Sequence, residues 1–516
     1  MMGIPCKYLN LWRGLLLTLS LFACENADAS HMMGADLQYQ YLGNNQYKII
    51  AKVYRDCRGI AFNGPSFGCF AGTNGGNGCG SSVLKIARTG IRDITQRCST
   101  NQLGCTPQNT GSSGLGIEEH TFETTVDFSQ APLKDYLNNS SCCEVTFYLG
   151  QCCRNGAITT GSAGNDFFTT CMINLCNVNL SGKASNDAPV LSNIPIAILC
   201  CNTPWYYNFG AMDTVDRDSI AYRLVSGISS LSNGSISYSG GFSSRYPMTP
   251  KCGTVGNFKC TPQPKAYPPE GFYFDTTTAD MVVTPTNCSE VPVVVVELTE
   301  FRKLTGGQWV VVGKTRRDIQ LWIMDNCMPN HPPQIQGKRY VEIYEGDTLR
   351  ETIRVTDEVY TPYQSRPDTV IAQWNGGIKG ASFTVVDPSK REKDYRIEWI
   401  SQVGDASDVA YSYAVNASDQ HCDYPNLNSA LFKVKVKSRN AGTQAVLASS
   451  YRLFPNPATD QVAILGATDK TAFKVINIVG RVVMVGQGNN IDVSRLAAGL
   501  YWVRLENRVS LRLMID

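Results

Sequence analysis

Adjacent cysteines occur three times in this chain, at Cys142-Cys143, Cys152-Cys153 and Cys200-Cys201. Neighbouring cysteines bridge each other only through a strained ring, so each is expected to reach a different partner and to tie two strands together. Zinc would call for C-x2-C pairs, and the sequence contains none. Of the 20 cysteines, Cys6 and Cys24 lie near the N-terminus. The others are disulfide candidates: Cys57, Cys69, Cys79, Cys98, Cys105, Cys142, Cys143, Cys152, Cys153, Cys171, Cys176, Cys200, Cys201, Cys252, Cys260, Cys288, Cys327 and Cys422. Eleven fall between Cys57 and Cys176, six between Cys200 and Cys327, and Cys422 follows by itself. If all are oxidised, parity forces the bridge of Cys422 out of its own segment, with Cys327 the nearest partner by sequence. No free structural thiol is then expected.

Groups suited to catalysis are sparse. Only four histidines occur, His31, His120, His331 and His421, which leaves few general bases or imidazole ligands at neutral pH. None sits in a motif that pairs it with a nucleophile, and H-E-x-x-H is absent. His421 beside Cys422 suggests a thiol enzyme, but a bridged cysteine cannot attack. The glycine-rich run 72–80 is flanked by cysteines and not by a strand and a helix, so it reads as a disulfide-closed loop and not as a phosphate cradle. Gly313-Lys314-Thr315 fails as a phosphate loop because Gln308 stands where its first glycine belongs. The acidic residues sit in turns, without the spacing of a glycosidase pair. A non-enzymatic protein without a cofactor is expected, and a secreted hydrolase with a carboxylate pair is the alternative.

The elements that must carry these residues are strands. Charged residues make up only 17% of the 516, while 45 Gly, 24 Pro and 24 Tyr replace much of what fills helices. The 46 Lys+Arg balance 44 Asp+Glu, so no nucleic-acid partner is expected. Tyr47, Ile49, Ala51 and Val53 alternate with Lys48 and Lys52, and Phe432, Val434 and Val436 alternate with Lys433, Lys435 and Lys437. Both stretches have the period of a half-buried strand. Proline-rich and polar stretches break the pattern and suggest segments 30–187, 188–330 and 331–440, a linker 441–450 and a tail 451–516.

So many cysteines suit an oxidising compartment, and the N-terminus agrees. Lys7 and Arg13 precede an apolar run over residues 15–23, and Ala27 and Ala29 offer an A-x-A site, so residues 1–29 read as a secretory signal peptide. Leu21-Phe22-Ala23-Cys24 also resembles a lipobox, which would make Cys24 a lipidated first residue. The run is shorter than the roughly 20 apolar residues that span a bilayer.

Several stretches carry a family resemblance. His31-Met32-Met33-Gly34-Ala35-Asp36-Leu37-Gln38-Tyr39 and Val53-Tyr54-Arg55-Asp56-Cys57 resemble the start of secreted surface proteins of Bacteroidota, often gliding-motility-associated. Cys152-Cys153-Arg154-Asn155-Gly156, Asn208-Phe209-Gly210-Ala211-Met212-Asp213 and Val295-Val296-Glu297-Leu298-Thr299-Glu300-Phe301-Arg302 are similar to the same group. Glu345-Gly346-Asp347-Thr348-Leu349 and Val355-Thr356-Asp357 are similar to Ig-like or cadherin-like repeats. The tail, with Leu453-Phe454-Pro455-Asn456-Pro457, Val479-Gly480-Arg481 and Ala498-Gly499-Leu500, resembles a type IX secretion sorting domain. Pro455, Asn456 and Pro457 fix its entry turn, Gly480 closes a hairpin and Gly499 leads into a final strand. The expected fold is all-β: tandem disulfide-stapled β-sandwich modules of Ig-like or cadherin-like type, then a small β-sandwich sorting domain.

The resemblance implies export by the type IX machinery through residues 451–516, removal of that domain, and attachment to the outer face of the outer membrane or release. Asp213-Thr214-Val215-Asp216-Arg217-Asp218 resembles the acidic turn of cadherin-like modules, which implies calcium on Asp213, Asp216 and Asp218. Arg217 stands where that turn commonly has glycine, so a plain Asx-rich turn is the competing reading. Thr214, Ser219, Thr348 and Thr369 match an Asp-Ser/Thr-aliphatic pattern of periplasmic O-glycosylation in those bacteria. The function expected is an adhesin or structural subunit that binds a surface protein or glycan through loops 72–80 and 111–116, or assembles with itself. A lipoprotein accessory of the secretion or motility apparatus is a further alternative.

Overall fold

In the strand Gln46–Asp56, Tyr47, Ile49, Ala51 and Val53 are buried while Lys48 and Lys52 stay partly exposed. That is a strand with one covered face. It runs back along Met32–Gly43 through a two-residue turn whose Asn44 and Asn45 take φ of 51° and 60°. Positive φ at both positions matches the twist of the paired strands. The computed structural model describes residues 32–57, 59, 64–72, 79–95, 105, 116–131, 133–137, 142–183, 185–195, 198–232, 234–254, 258–325, 327, 330–422, 424–438, 451–478, 480–505 and 509–516. Among these, helix is confined to Lys134–Leu137 and Leu175–Leu180, and no helix is long and apolar enough to cross a membrane. The fold is all-β.

The largest sheet has 13 strands. Its main path runs Ser81–Val83, Ser66–Gly72, Glu144–Gln151, Phe167–Asn174, Trp309–Gln320, Met32–Gly43, Gln46–Asp56, Ile117–Asp127 and Ala87–Asp93. Trp309–Gln320 is the fork in this path. One edge takes its hairpin mate Val293–Lys303, while the other is shared. Gly313–Thr315 pairs with Cys171–Ile173, and Arg317–Ile319 pairs with Gly34–Asp36. A boundary at 187/188 therefore does not divide the sheet, because a later strand sits at the centre of the earlier ones. Nor does one at 330/331, since Trp205–Tyr207 pairs in parallel with Leu427–Lys437, Tyr206 opposite Asn428. Proline and polar residues mark where the chain leaves a sheet, whereas pairing between distant strands decides where the sheet ends.

Two compact units result: one extends to Tyr340 and adds Arg350–Trp399 and Tyr411–Lys433, and the other holds Val341–Leu349, Ile400–Ala410 and Val434–Asp516. In the first, Trp205, Tyr207 and Val283 of one sheet pack on Val294, Val296 and Leu298 of the other, face to face as in a sandwich. Val293 and Val295, on the opposite face of the same strand, pack with Ile158 and Ile236. Burial on both faces explains why this strand reads as an unbroken valine run.

Disulfides join Cys57 to Cys105, Cys79 to Cys142, Cys143 to Cys176, Cys200 to Cys327, Cys201 to Cys288 and Cys252 to Cys260. The pairs 142/143 and 200/201 each reach two partners, as adjacent cysteines on strands should. Three expectations need correction. Cys152 and Cys153 bridge each other, across a cis peptide bond. Cys327 is taken by Cys200, so the disulfide of Cys422 goes elsewhere and still leaves its segment, where it is the only cysteine. Cys69 and Cys171 are free and buried. They flank Phe147 in one cross-strand row, Cys69 opposite Phe147 and Phe147 opposite Cys171. The intervening strand holds them about 9–10 Å apart, beyond the roughly 7 Å between Cα atoms that a disulfide spans. Cys98 lies outside the described residues.

Candidate functional site

Arg317 and Asp318 are neighbours on Trp309–Gln320, so strand alternation sends them to opposite faces. Arg317 Nε donates to Asp36 Oδ1 at 2.7 Å, its Nη2 to Asp36 Oδ2, and its Nη1 to the carbonyl of Asn193 at 2.6 Å. Asp318 receives both terminal nitrogens of Arg154, at 3.0 and 2.6 Å. All four residues are buried. These pairs clamp the fork and face no solvent.

The acidic turn lies nearby in the same unit. Asp213 Oδ1 accepts the backbone N–H of Asp216 at 3.0 Å, and its Oδ2 accepts that of Asp218 at 2.6 Å. Asp216 accepts the N–H of Asp187 at 2.7 Å. Arg302 reaches Asp218 Oδ2 at 2.6 Å and lies 3.3 Å from Asp216. Asp213, Asp218 and Glu300 bring carboxylate oxygens within 4.8 Å of one another. Burial, then the charges of Asp213 and Asp218, push Glu300 well above the usual range, and burial pushes Asp213 up to about 6. Arg302 and Lys183, the latter 3.7 Å from Asp216, bring positive charge to this cluster. The Asp213 oxygens are already taken by N–H groups. Asp213, Asp216 and Asp218 thus form an Asx-rich turn, and the oxygens of Asp213, Asp218 and Glu300 also make a group that could hold a metal ion. Arg217, at φ 57°, lies over the ring of Tyr411, 5.1 Å from its centre.

A second acidic cluster had no signal of its own in the sequence. Asp357 Oδ2 accepts the N–H of Asp368 at 2.6 Å. Asp419 Oδ1 accepts the N–H groups of His421 and Asn426, and its Oδ2 accepts Asn330 Nδ2 at 2.6 Å. Asp368 pairs with His421 Nδ1 at 2.8 Å. Asp357 is 6% exposed, and its Oδ1 is buried without a hydrogen-bond partner. Burial raises Asp357 to about 6 and Asp419 to about 7. Burial favours the protonated acid at both, which relieves the charge of two carboxyls set close together.

Of the glycosylation candidates, Thr214 and Thr348 are exposed, Ser219 is half-buried on Ser219–Leu224, and Thr369 accepts a hydrogen bond from Arg391 at 3.1 Å. Residues 73–78 and 111–115 of the two expected binding loops lie outside the described residues, as do the signal segment 1–29 and linker 441–450.

The tail closes on itself. Arg452–Phe454, Gln461–Leu465 and Asn490–Asp492 form one sheet, and Val482–Gln487, Ala472–Asn477, Gly499–Leu505 and Ser510–Ile515 form another. Val462, Ile464, Val475, Val503 and Leu513 fill the space between them. Asn456, between Pro455 and Pro457, donates to the carbonyl of Arg512 at 2.7 Å and accepts the N–H of Met514 at 2.8 Å. Gly480 and Gly499 take φ of 82° and 149°, which a side chain would resist. Ile478, Val483, Val485 and Trp502 remain exposed.

Residues 452–513 match the secretion system C-terminal sorting domain family. The chain is therefore a secreted one that engages the type IX secretion machinery through this domain. No curated protein matches the chain. Among solved structures, a chain of the crystal structure of Dpr2 Ig1-Ig2 in complex with DIP-Theta Ig1-Ig3 is similar at 11% identity, over 49% of this chain and 99% of that one, with a TM-score of 0.19. Drosophila N-cadherin EC1-4 is similar at 13% identity over 84% and 92%, with a TM-score of 0.19. The sialic acid binding region of a Streptococcus sanguinis SK1 adhesin is similar at 10% identity over 81% and 78%, with a TM-score of 0.17. Likeness at this level decides nothing about this chain.

Proposed function

We propose that the chain is a non-enzymatic cell-surface protein, an adhesin or structural subunit, carried by the type IX machinery to the outer face of the outer membrane. The observation that carries this reading is the sorting domain, which completes its own core within the tail. What precedes it supports display more than turnover. Of the carboxylates raised into a range useful for acid–base work, Asp357 and Asp419 are buried beyond a substrate's reach, and half-buried Asp213 is held by the N–H groups of its own turn. His421 is held by Asp368, and the cysteine beside it is spent in a disulfide. The exposed apolar side chains of the tail give the export machinery a surface to hold. The ligand of the displayed part is a surface protein or a glycan, and self-assembly is a further mode.

Deletion of residues 451–516 tests the route. The truncated protein should accumulate, folded, in the periplasm, and arrival at the surface without the tail would refute the assignment. Purified residues 30–445 should turn over no ester, peptide or glycan substrate. Saturable hydrolysis abolished by one Asp or Glu substitution would establish the hydrolase instead.

A further inference from the structure

An open groove of about 490 Å³ lies on the face of the main sheet opposite the Phe147 core. Strand alternation places its floor residues: where Val145, Phe147 and Thr315 point inward, Thr146 and Lys314 point out. Cross-strand pairing sets Lys314 beside Met172 and lines up Arg316, Glu297 and Arg223 on three neighbouring strands. The hairpin Ile228–Ser230 and Gly234–Ser235 forms one wall, fixed to the sheet by Ile228 opposite Phe168.

Both arginines donate to Glu297, Arg223 at 2.7 Å and Arg316 at 2.7 Å, and Glu297 is almost fully buried beneath them. Two guanidinium groups on one carboxylate leave a cationic charge over. Burial pushes Glu297 up, but the two guanidinium groups, Arg316 first, outweigh it and hold Glu297 below its usual range. Lys314 lines the groove and has no hydrogen bond or ion pair among the described residues. Hydroxyls of Thr146, Thr170, Ser226 and Ser230 line much of the rest. The site thus offers fixed cations, one of them unspent, among short hydroxyl side chains, with the Glu144 carboxylate and the apolar side chains of Phe70, Met172 and Leu231 also in its lining.

We propose that this groove binds an anionic saccharide, its carboxylate or sulfate on Lys314 and Arg316 and its sugar hydroxyls on the serine and threonine side chains. The volume suits a few sugar rings. This deepens the reading of the chain as a binding protein and rests on it.

Calorimetry on the full secreted chain tests the assignment with trigalacturonate, a sulfated galactotriose, neutral galactotriose and tetraglutamate. One or both acidic sugars should bind, and the neutral sugar should bind at least about tenfold more weakly, the worth of one charge-assisted contact. Lys314→Ala should cost about tenfold in affinity and reduce its salt dependence. Thr146→Trp, with an unchanged circular dichroism spectrum, should abolish binding by filling the floor. Equal binding of the neutral sugar, tighter binding of tetraglutamate, no binding of either acidic sugar, or unchanged affinity in Lys314→Ala would overturn the proposal. Cleavage of trigalacturonate during the titration would leave the groove as the site and overturn the binding-protein reading instead.

Discussion

Removing the Asp36 carboxylate tests the claim that buried charge holds the forked sheet together. Arg317 is 1% exposed, so Asp36→Ala leaves its guanidinium with only neutral acceptors, the carbonyls of Asn193 and Leu191 and the hydroxyl of Tyr207. Stranding one partner of a buried ion pair costs about 3–5 kcal/mol. Tyr54 Oη also loses the acceptor it holds at 2.8 Å, which adds roughly 1 kcal/mol. Melting entropy grows with size, so for a cooperative unit of several hundred residues this is a drop of about 4–6 °C in Tm. Asp36→Leu combined with Arg317→Met replaces the pair by apolar side chains and should recover at least half of that loss. Differential scanning calorimetry of wild type, the single variants and the double variant closes the cycle. A fall below about 1 °C for Asp36→Ala, or a double variant as unstable as the sum of the singles, would refute the reasoning.

Three further outcomes are expected. Burial pushes the Cys69 thiol up to about 12 and that of Cys171 well above its usual value, so neither should alkylate in the native protein, while both should label in denaturant without reductant; a peptide linking Cys69 to Cys171 would contradict the strand order. Asp357 and Asp419, near 6 and 7 in the fold, titrate near 3.9 when unfolded, so the stability they contribute is complete below about pH 4 and is lost as pH rises through 6 and 7. In chelator, the Tm of wild type relative to Asp419→Asn should therefore decline from pH 5 to pH 8, and a relative rise would refute the burial argument. Calcium added at pH 7.5 should raise the Tm of wild type and not of Asp213→Asn if the acidic turn holds the ion, and no rise in wild type would leave it a plain Asx-rich turn.

Local pattern made the strands legible, because the alternation at Tyr47–Val53 and at Phe432–Lys437 depends only on which face is covered. The tail was legible for a similar reason: Pro455-Asn456-Pro457, Gly480 and Gly499 are turn residues whose backbone geometry is local. Partnership between distant strands left no comparable mark. Nothing near Trp309–Gln320 announces that its free edge will be divided between Met32–Gly43 and Phe167–Asn174. Without that order, an oxidising compartment alone led to the expectation that Cys69 and Cys171 each had a disulfide partner. Asp213, Asp216 and Asp218 drew attention as neighbours in sequence, whereas their cation, Arg302, comes from a strand more than 80 residues away. Asp357 and Asp419 are 62 residues apart in sequence (419 − 357), so only the fold brings them near each other.

The fork at Trp309–Gln320 also imposes an order of arrival. Met32–Gly43 and Phe167–Asn174 each wait for a strand that follows Asn174 by about 135 residues, roughly ten to thirty seconds at ordinary rates of synthesis. Through that interval two edges stand open, each able to recruit a strand from another chain. The bridges Cys57–Cys105, Cys79–Cys142 and Cys143–Cys176 involve only residues already made. Oxidation of the leading segment can thus proceed while its sheet is incomplete. The late hairpin then acts as a keystone, and a chain stalled before Gln320 would emerge cross-linked, unclosed and prone to stick to its neighbours.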